Sequence, residues 1–496
     1  MSITIIPPDT AGSKGDEAVI RGALNVFKGL SITLMTPGNK ELSWKTELPD
    51  RAGEFDEVTI SKDGNNVKMD DPCTLVIPGT DVIDGTGLKS SSLLRLKLVA
   101  ENSMLGGKTA VFMSFRKNVD KEIIEIIKRI EKDKRGDILW TCRDNDSIIN
   151  FRDQTGIEPS YFPDFAYYAE SDETDRVKCI CHYLNRKKEE NKVVVGVNLS
   201  SHSFSSFYDY SPDNVKKYIL SVIDTICEIE KNPIFVFVSH DLRKVIGAMS
   251  DYDFSCLASQ ITKNESIVLP NYLKYPELKS VIHEMDYIVT GRMHVSVSSF
   301  AQNVPSVLFT GKGRSSYSMV DKCYGMYEDR IGCKELVATN NEELKRALSL
   351  VSSQRKELKD RLLLKNELNE KEEGKCAEQL RMFLGLESKD LLKTAPTEYE
   401  LLINAIRENV NGLRDEIGDI SDRCTSVDYY CRKLNDYCDG LQYRIDQLEK
   451  EKDGLNDYCR KLNDYCDGLQ YRIDQLEKTY DKIEKNKIKW LFGRLD

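Results

Sequence analysis

Arg292 and His294 stand two apart in the run Asp286-Tyr287-Ile288-Val289-Thr290-Gly291-Arg292-Met293-His294, a spacing suited to an anion that must also receive a proton. A guanidinium meets a carboxylate or phosphate through paired N–H bonds, and an imidazole titrates near neutrality. The flanking residues say how the pair is held. Tyr287 to Thr290 read as a short buried strand, Gly291 permits close backbone approach, and Val295 to Ala301 open a helix whose first N–H groups face any bound anion. A second candidate is Gly12-Ser13-Lys14-Gly15-Asp16-Glu17-Ala18, which follows the first apolar strand and opens the first helix. Its glycines let backbone N–H groups approach an anion, yet Asp16 and Glu17 equally suit a helix start, so capping and catalysis are both open. Lys312, in Gly311-Lys312-Gly313-Arg314-Ser315-Ser316 after the strand Pro305 to Thr310, adds positive charge, with a solvated basic loop as the plainer reading.

Stepping outward from these runs, short apolar segments alternate with helical patterns. Ser2 to Ile6, Thr74 to Ile77, Thr109 to Ser114 and Asp137 to Cys142 read as strands; Asp16 to Gly29, Ser92 to Asn102 and Lys121 to Lys132 read as helices. The rhythm restarts at Lys192-Val193-Val194-Val195-Gly196-Val197-Asn198-Leu199 and continues through a helix over Pro212 to Lys231, the strand Pro233 to Ser239 and a helix over Tyr275 to Glu284. Such alternation predicts an α/β chain with two Rossmann-like domains, residues 1–187 and 188–340, and ligands at the carboxyl ends of the strands. A helical segment over 341–387 and a linker over 388–398 follow.

From 399 to 485 the pattern changes to heptads. Apolar residues occupy position d from Ile406 to Ile483 without a break, and Cys424, Cys431, Cys438, Cys459 and Cys466 fall at position a. This predicts a coiled coil and hence a homo-oligomer. Tyr430 to Lys450 recur identically as Tyr458 to Lys478, a displacement of 28 residues that preserves the seam. Residues 486–496 mix bases with Trp490 and Phe492; contact with an anionic membrane surface is the functional reading and a frayed coil end the plainer one.

The chain has 496 residues, net charge −10 and interspersed acids and bases, which argues against a nucleic-acid partner. No leader or membrane-length apolar run is evident, so a cytoplasmic protein is expected. The 14 cysteines are scattered, and Cys179 and Cys181 lack the further ligands of a zinc site, so reduced thiols and no metal or other cofactor are expected.

Gly15-Asp16-Glu17-Ala18, Arg143-Asp144, Pro163-Asp164 and Gly291-Arg292-Met293-His294, in that order and at those intervals over roughly residues 1–340, resemble the polysaccharide pyruvyl transferases. The resemblance implies a fold like that of two-Rossmann (GT-B-like) glycosyltransferases. It also implies transfer of the pyruvyl group of phosphoenolpyruvate, as donor substrate, to a sugar or glycan acceptor, commonly as a ketal. Carried over, Arg292, Gly291, Arg143 and Lys312 bind the donor, His294 is the acid, Asp16 faces the cleft as a base, and Ser13, Gly15, His240 and Asp241 lie near it. Ser13-Lys14 replaces a polar pair that often includes Asn, and Pro78-Gly79-Thr80-Asp81 stands where a glycine-rich turn is expected. A nucleotide-sugar glycosyltransferase of the same architecture, and an inactive scaffold with an oligomerising arm, are the competing readings. Phosphoenolpyruvate, and not nucleotides, is expected to raise the melting temperature, because a ligand that binds only the native state stabilises it; stabilisation by a uridine nucleotide alone would favour the glycosyltransferase.

Overall fold

A computed structural model describes residues 2–8, 12–37, 43–60, 69, 71–79, 83, 89–243, 249–312 and 319–386, together with 460, 463, 467–472, 474–479 and 482. Strands β1 (Ser2–Ile5), β2 (Ser31–Pro37), β3 (Phe55–Ile60), β4 (Thr74–Ile77), β5 (Lys108–Met113), β6 (Ile138–Cys142) and β7 (Ser160–Tyr161) form one sheet in the order β3-β2-β1-β4-β5-β6-β7. Strands β8 (Val194–Asn198), β9 (Ile234–Phe237), β10 (Ser266–Val268), β11 (Tyr287–Thr290), β12 (Ser306–Phe309) and β13 (Val337–Ala338) form the other, in the order β10-β9-β8-β11-β12-β13. Neighbouring strands are parallel throughout both. These are two Rossmann-like sheets.

Every residue of β8, β9, β11 and β12 is buried, as expected of parallel strands covered by helices on both faces. In each sheet the strand order reverses direction at one place, between β1 and β4 and between β8 and β11. Ligands of such sheets bind outside the carboxyl ends of the strands at that reversal. The first helix, Lys14–Val26, starts at the first reversal, and the helix Met293–Ala301 starts at the second. Both candidate runs therefore occupy the positions where chemistry is expected.

The helix Asp175–Glu189 packs on the second sheet through Val177, Cys181 and Leu184, so the domain division expected after residue 187 falls inside an element of the second domain. A helix of 43 residues, Asn341–Phe383, is capped by Asn340 and interrupted at Gln354, whose φ of −116° and ψ of 22° are not helical. Leu344, Leu348 and Val351 bury its first half against the second sheet's core. Its later part reaches the first domain: Tyr168 donates to the Glu373 carbonyl at 2.8 Å, Arg381 to Val26 O at 2.9 Å, and Lys108 to Phe383 O at 2.8 Å.

The expected linker, most of the coiled coil and the terminal tail lie outside the described residues. Within residues 460–482 the described positions are helical and exposed. No helix among the described residues is long and apolar enough to cross a membrane.

Arg21, wholly buried in the first helix, is the centre of an ionic network. It forks onto Asp50 at 2.8 and 2.9 Å, meets Glu17 at 2.9 Å and Glu170 at 2.8 Å. Removing one partner of a buried ionic set strands the others. Arg21→Met is expected to cost about 3–5 kcal/mol of stability, read as a lower denaturation midpoint; an unchanged midpoint would refute the network's importance.

Candidate functional site

The two reversal points face each other. Ser13 bridges to Asp241, Lys14 N donates to His240 O at 2.7 Å, and Leu242 N donates to Gly12 O at 3.0 Å, so the start of the first helix lies against the residues after β9. Ser13 caps that helix, its side chain accepting from Asp16 N. Glu17, 2% exposed, accepts from Lys14 Nζ at 2.8 Å and from Tyr275 N of the second domain at 2.9 Å. Gly15 passes so close to the His294 ring that a Cβ there would collide with it. Gly291 has the same role on the other side: its Cβ would lie 2.6 Å from that of Ser203 and 2.8 Å from that of Ser200.

Arg292 extends from the end of β11 into carboxylates. Its Nη1 is 2.9 Å from Asp241 Oδ2, and its Nη2 and Nε are 2.9 and 3.2 Å from the two oxygens of Asp251. Arg243 binds Asp241 from the opposite side, at 2.8 Å through Nε and 2.7 Å through Nη2, and lies 3.9 Å from Asp16 through Nη1. Asp241 is buried, which alone would raise its pKa; the two guanidiniums reverse that and bring it to about 2. His202 sits nearby and is pushed down to about 4 by burial and by Arg292.

On the other flank Asp164 joins residues of both domains. It accepts from Arg143 Nη1 at 2.8 Å and lies 3.7 Å from His294 Nε2, an ion-pair distance rather than a hydrogen bond. Arg143 Nη2 also approaches Met293 Sδ at 2.8 Å. Burial pushes the Asp164 carboxyl up, but His294, Arg143 and the Ala166 N–H outweigh it and hold it far below the ordinary range. Asp144 caps the next helix through Ser147 N, and burial raises its carboxyl.

Ser13, Gly15, Asp16, Arg143, His240, Asp241, Gly291, Arg292 and His294 thus come together along one seam. Lys312 does not join the described network: it is exposed after β12, where its charge acts on Glu343 of the long helix. The remainder of its loop, 313–318, and Thr80-Asp81 lie outside the described residues. Sequence reasoning missed Arg243 and Asp251 and gave Asp164 no role. Arg243, two residues after Asp241, had a local signal; Asp251 stands in the first turn of a helix capped by Ser250, a common place for an acid. Among the described residues no group of three or more His, Cys, Asp or Glu is placed to hold a metal.

Residues 137–313 match the family model described as Polysaccharide pyruvyl transferase. No curated protein matches the sequence. Among solved structures, a UDP-glucosyltransferase from Polygonum tinctorium capable of glucosylating indoxyl is similar at 10% identity, over 78% of this chain and 99% of that one, with a TM-score of 0.48. HepE of Anabaena in complex with UDP and glucose is similar at 13% identity, over 78% and 99%, with a TM-score of 0.46. At these values the description of the fold rests on the two sheets themselves.

A carboxyl whose folded pKa lies below its unfolded value of about 3.9 gives stability that is fully present above that value and is lost as pH falls through the folded pKa. The melting temperature should therefore drop between about pH 4 and pH 2 as Asp241 is protonated. Asp241→Asn should melt lower at neutral pH and fall less steeply on acidification; parallel curves in a calorimetric pH series would contradict this.

Proposed function

We propose that the protein transfers the pyruvyl group of phosphoenolpyruvate to a hydroxyl-bearing sugar of a glycan or its precursor, on a GT-B-like pair of domains. One observation carries the proposal. The span that matches the family runs from just before β6 to the loop after β12, and its chemistry-bearing residues Arg143, Asp164, Arg292 and His294 converge on the start of the first helix.

The reaction needs an acid, an environment for the donor's carboxylate and phosphate, and a group to take a hydroxyl proton. His294, whose ring lies against Gly15 at the start of the first helix and whose Nε2 is 3.7 Å from Asp164, is placed to act as the acid. It protonates the methylene carbon of the enol phosphate, leaving an oxygen-stabilised cation at C2. A sugar hydroxyl adds its oxygen there and releases its proton, with Asp16 as the acceptor. Phosphate leaves with the C–O bonding pair. A second hydroxyl then closes the ketal and gives up its own proton to the phosphate or solvent. Arg143 and Arg292 are set in place by Asp164, Asp241 and Asp251 before any substrate arrives, so their positive charge is preorganised toward the donor's carboxylate and phosphate. Lys312 has no part in this scheme.

Purified protein incubated with phosphoenolpyruvate and a diol-bearing glycan should release phosphate, and mass spectrometry should show the glycan gaining a pyruvyl ketal. His294→Ala should lower kcat by roughly 10²- to 10⁴-fold. Absence of phosphate release across a panel of glycans, or a fully active His294→Ala, would sink the assignment.

A further inference from the structure

His240 stands three residues beyond the end of β9, in the seam between the two domains. Its carbonyl holds the Lys14 N–H at 2.7 Å, which fixes the residue against the start of the first helix. Its ring lies edge-on to Tyr275, with centroids 6.4 Å apart and an interplanar angle of 84°. The residue is 1% exposed, and its Nε2 has no hydrogen-bond partner among the described residues. His294 Nε2, in the same seam, is equally shut from solvent and lacks a hydrogen bond, although it keeps the longer approach to Asp164.

Buried polar atoms in folded proteins are nearly always paired, so an orphan asks for a reason. Packing gives none here. A phenyl ring would fill the slot beside Tyr275 with no nitrogen to satisfy. The charged groups around the ring are His294, Arg292 and Lys14, which are positive or can become so, and Asp241; burial and the three cations together hold His240 neutral, against the pull of Asp241. A neutral imidazole offers no charge to a phosphate or a carboxylate. It suits a group that both donates and accepts, and the uncharged reactant of pyruvyl transfer is the acceptor sugar. The adjacent Asp241 is unsuited to that task, since its two oxygens are engaged by Arg243 and Arg292.

We infer that His240 is an acceptor-binding residue: its Nε2 takes one hydroxyl of the sugar and aims that oxygen at the donor carbon beside His294. The inference rests on the pyruvyl-transfer reading. It deepens that reading by assigning the acceptor to the second domain's β9 edge, on the seam shared with the first helix.

Two variants separate hydrogen bonding from shape. His240→Phe keeps an aromatic ring of similar size without the nitrogen, whereas His240→Gln places an amide near the position of Nε2. His240→Phe should raise KM for the glycan roughly 10- to 100-fold, the cost of leaving a buried partner unpaired, with KM for phosphoenolpyruvate unchanged. His240→Gln should recover most of that loss. The melting temperature of His240→Phe should equal or exceed that of the wild type, because a nitrogen kept for a ligand is a burden on the fold. A wild-type KM for the glycan in His240→Phe would overturn the inference while leaving the function intact. A melting temperature below both wild type and His240→Gln would overturn it too, whatever the activity, by showing that the fold needs the nitrogen. If the wild type releases no phosphate, the function fails; a His240→Phe protein at least as stable as wild type would still mark a nitrogen kept for a polar ligand.

Discussion

The Glu17 carboxylate is the constraint on which the seam depends. A buried anion is tolerated only when its oxygens are satisfied, and Glu17 draws its partners from Lys14, Arg21 and the Tyr275 backbone. The last of these belongs to the other domain. Rotating the first helix away from Tyr275 would leave a carboxylate oxygen without that donor, so the helix start has one stable position. With it come Gly15 against His294 and Ser13 against Asp241. The alignment of the two reversal points rests on this carboxylate together with the backbone bonds from Lys14 N to His240 O and from Leu242 N to Gly12 O.

Beyond Glu17 the seam is built from alternating charges rather than from a single-sign field. Arg292 and Arg243 share Asp241, Arg292 also binds Asp251, and Arg143 shares Asp164 with His294. Such networks contribute little net stability compared with a well-packed apolar interior, but they restrict each side chain to one geometry. Fixed dipoles and charges of this kind avoid reorganisation at the moment of bond change. The same pairing concentrates Arg143, Arg243 and Arg292 along the seam of a chain whose net charge is −10, so the charge any ligand there meets is local.

Much of this was legible in the residues. Strands such as β8 and β11 are largely apolar runs because both of their faces are covered, and the helix after β11 begins near the expected residue, whereas the short helix Ser201–Phe207 after β8 gave no signal. Arg292 and His294 were visible because a strand, a glycine and a helix start are adjacent in sequence. Partners separated in sequence were not visible. Asp251 reaches Arg292 across 41 residues, and nothing near it distinguishes it from a cap. Glu17 read as a helix-start acid, although its importance lies in a backbone 258 residues away. The two-residue strands β7 and β13 owe their existence to the neighbours they pair with, and three-residue β10 is too short for a periodic signal. The helix Asp175–Glu189 announces an apolar face but not which sheet will receive it.

The long helix Asn341–Phe383 also gives the globular part a load path. The chain enters this helix from the second sheet and finishes it against the first, through Arg381, Lys108 and the buried Leu386. Tension applied beyond residue 386 is therefore met first by contacts with the first sheet, and only after those yield does it travel back along the helix to the second. The kink at Gln354 lies within the stretch that grips the second domain, since Arg355 still meets Glu230 and Asn366 still donates to Phe300 O, so the hand-over to the first domain comes only near residue 373.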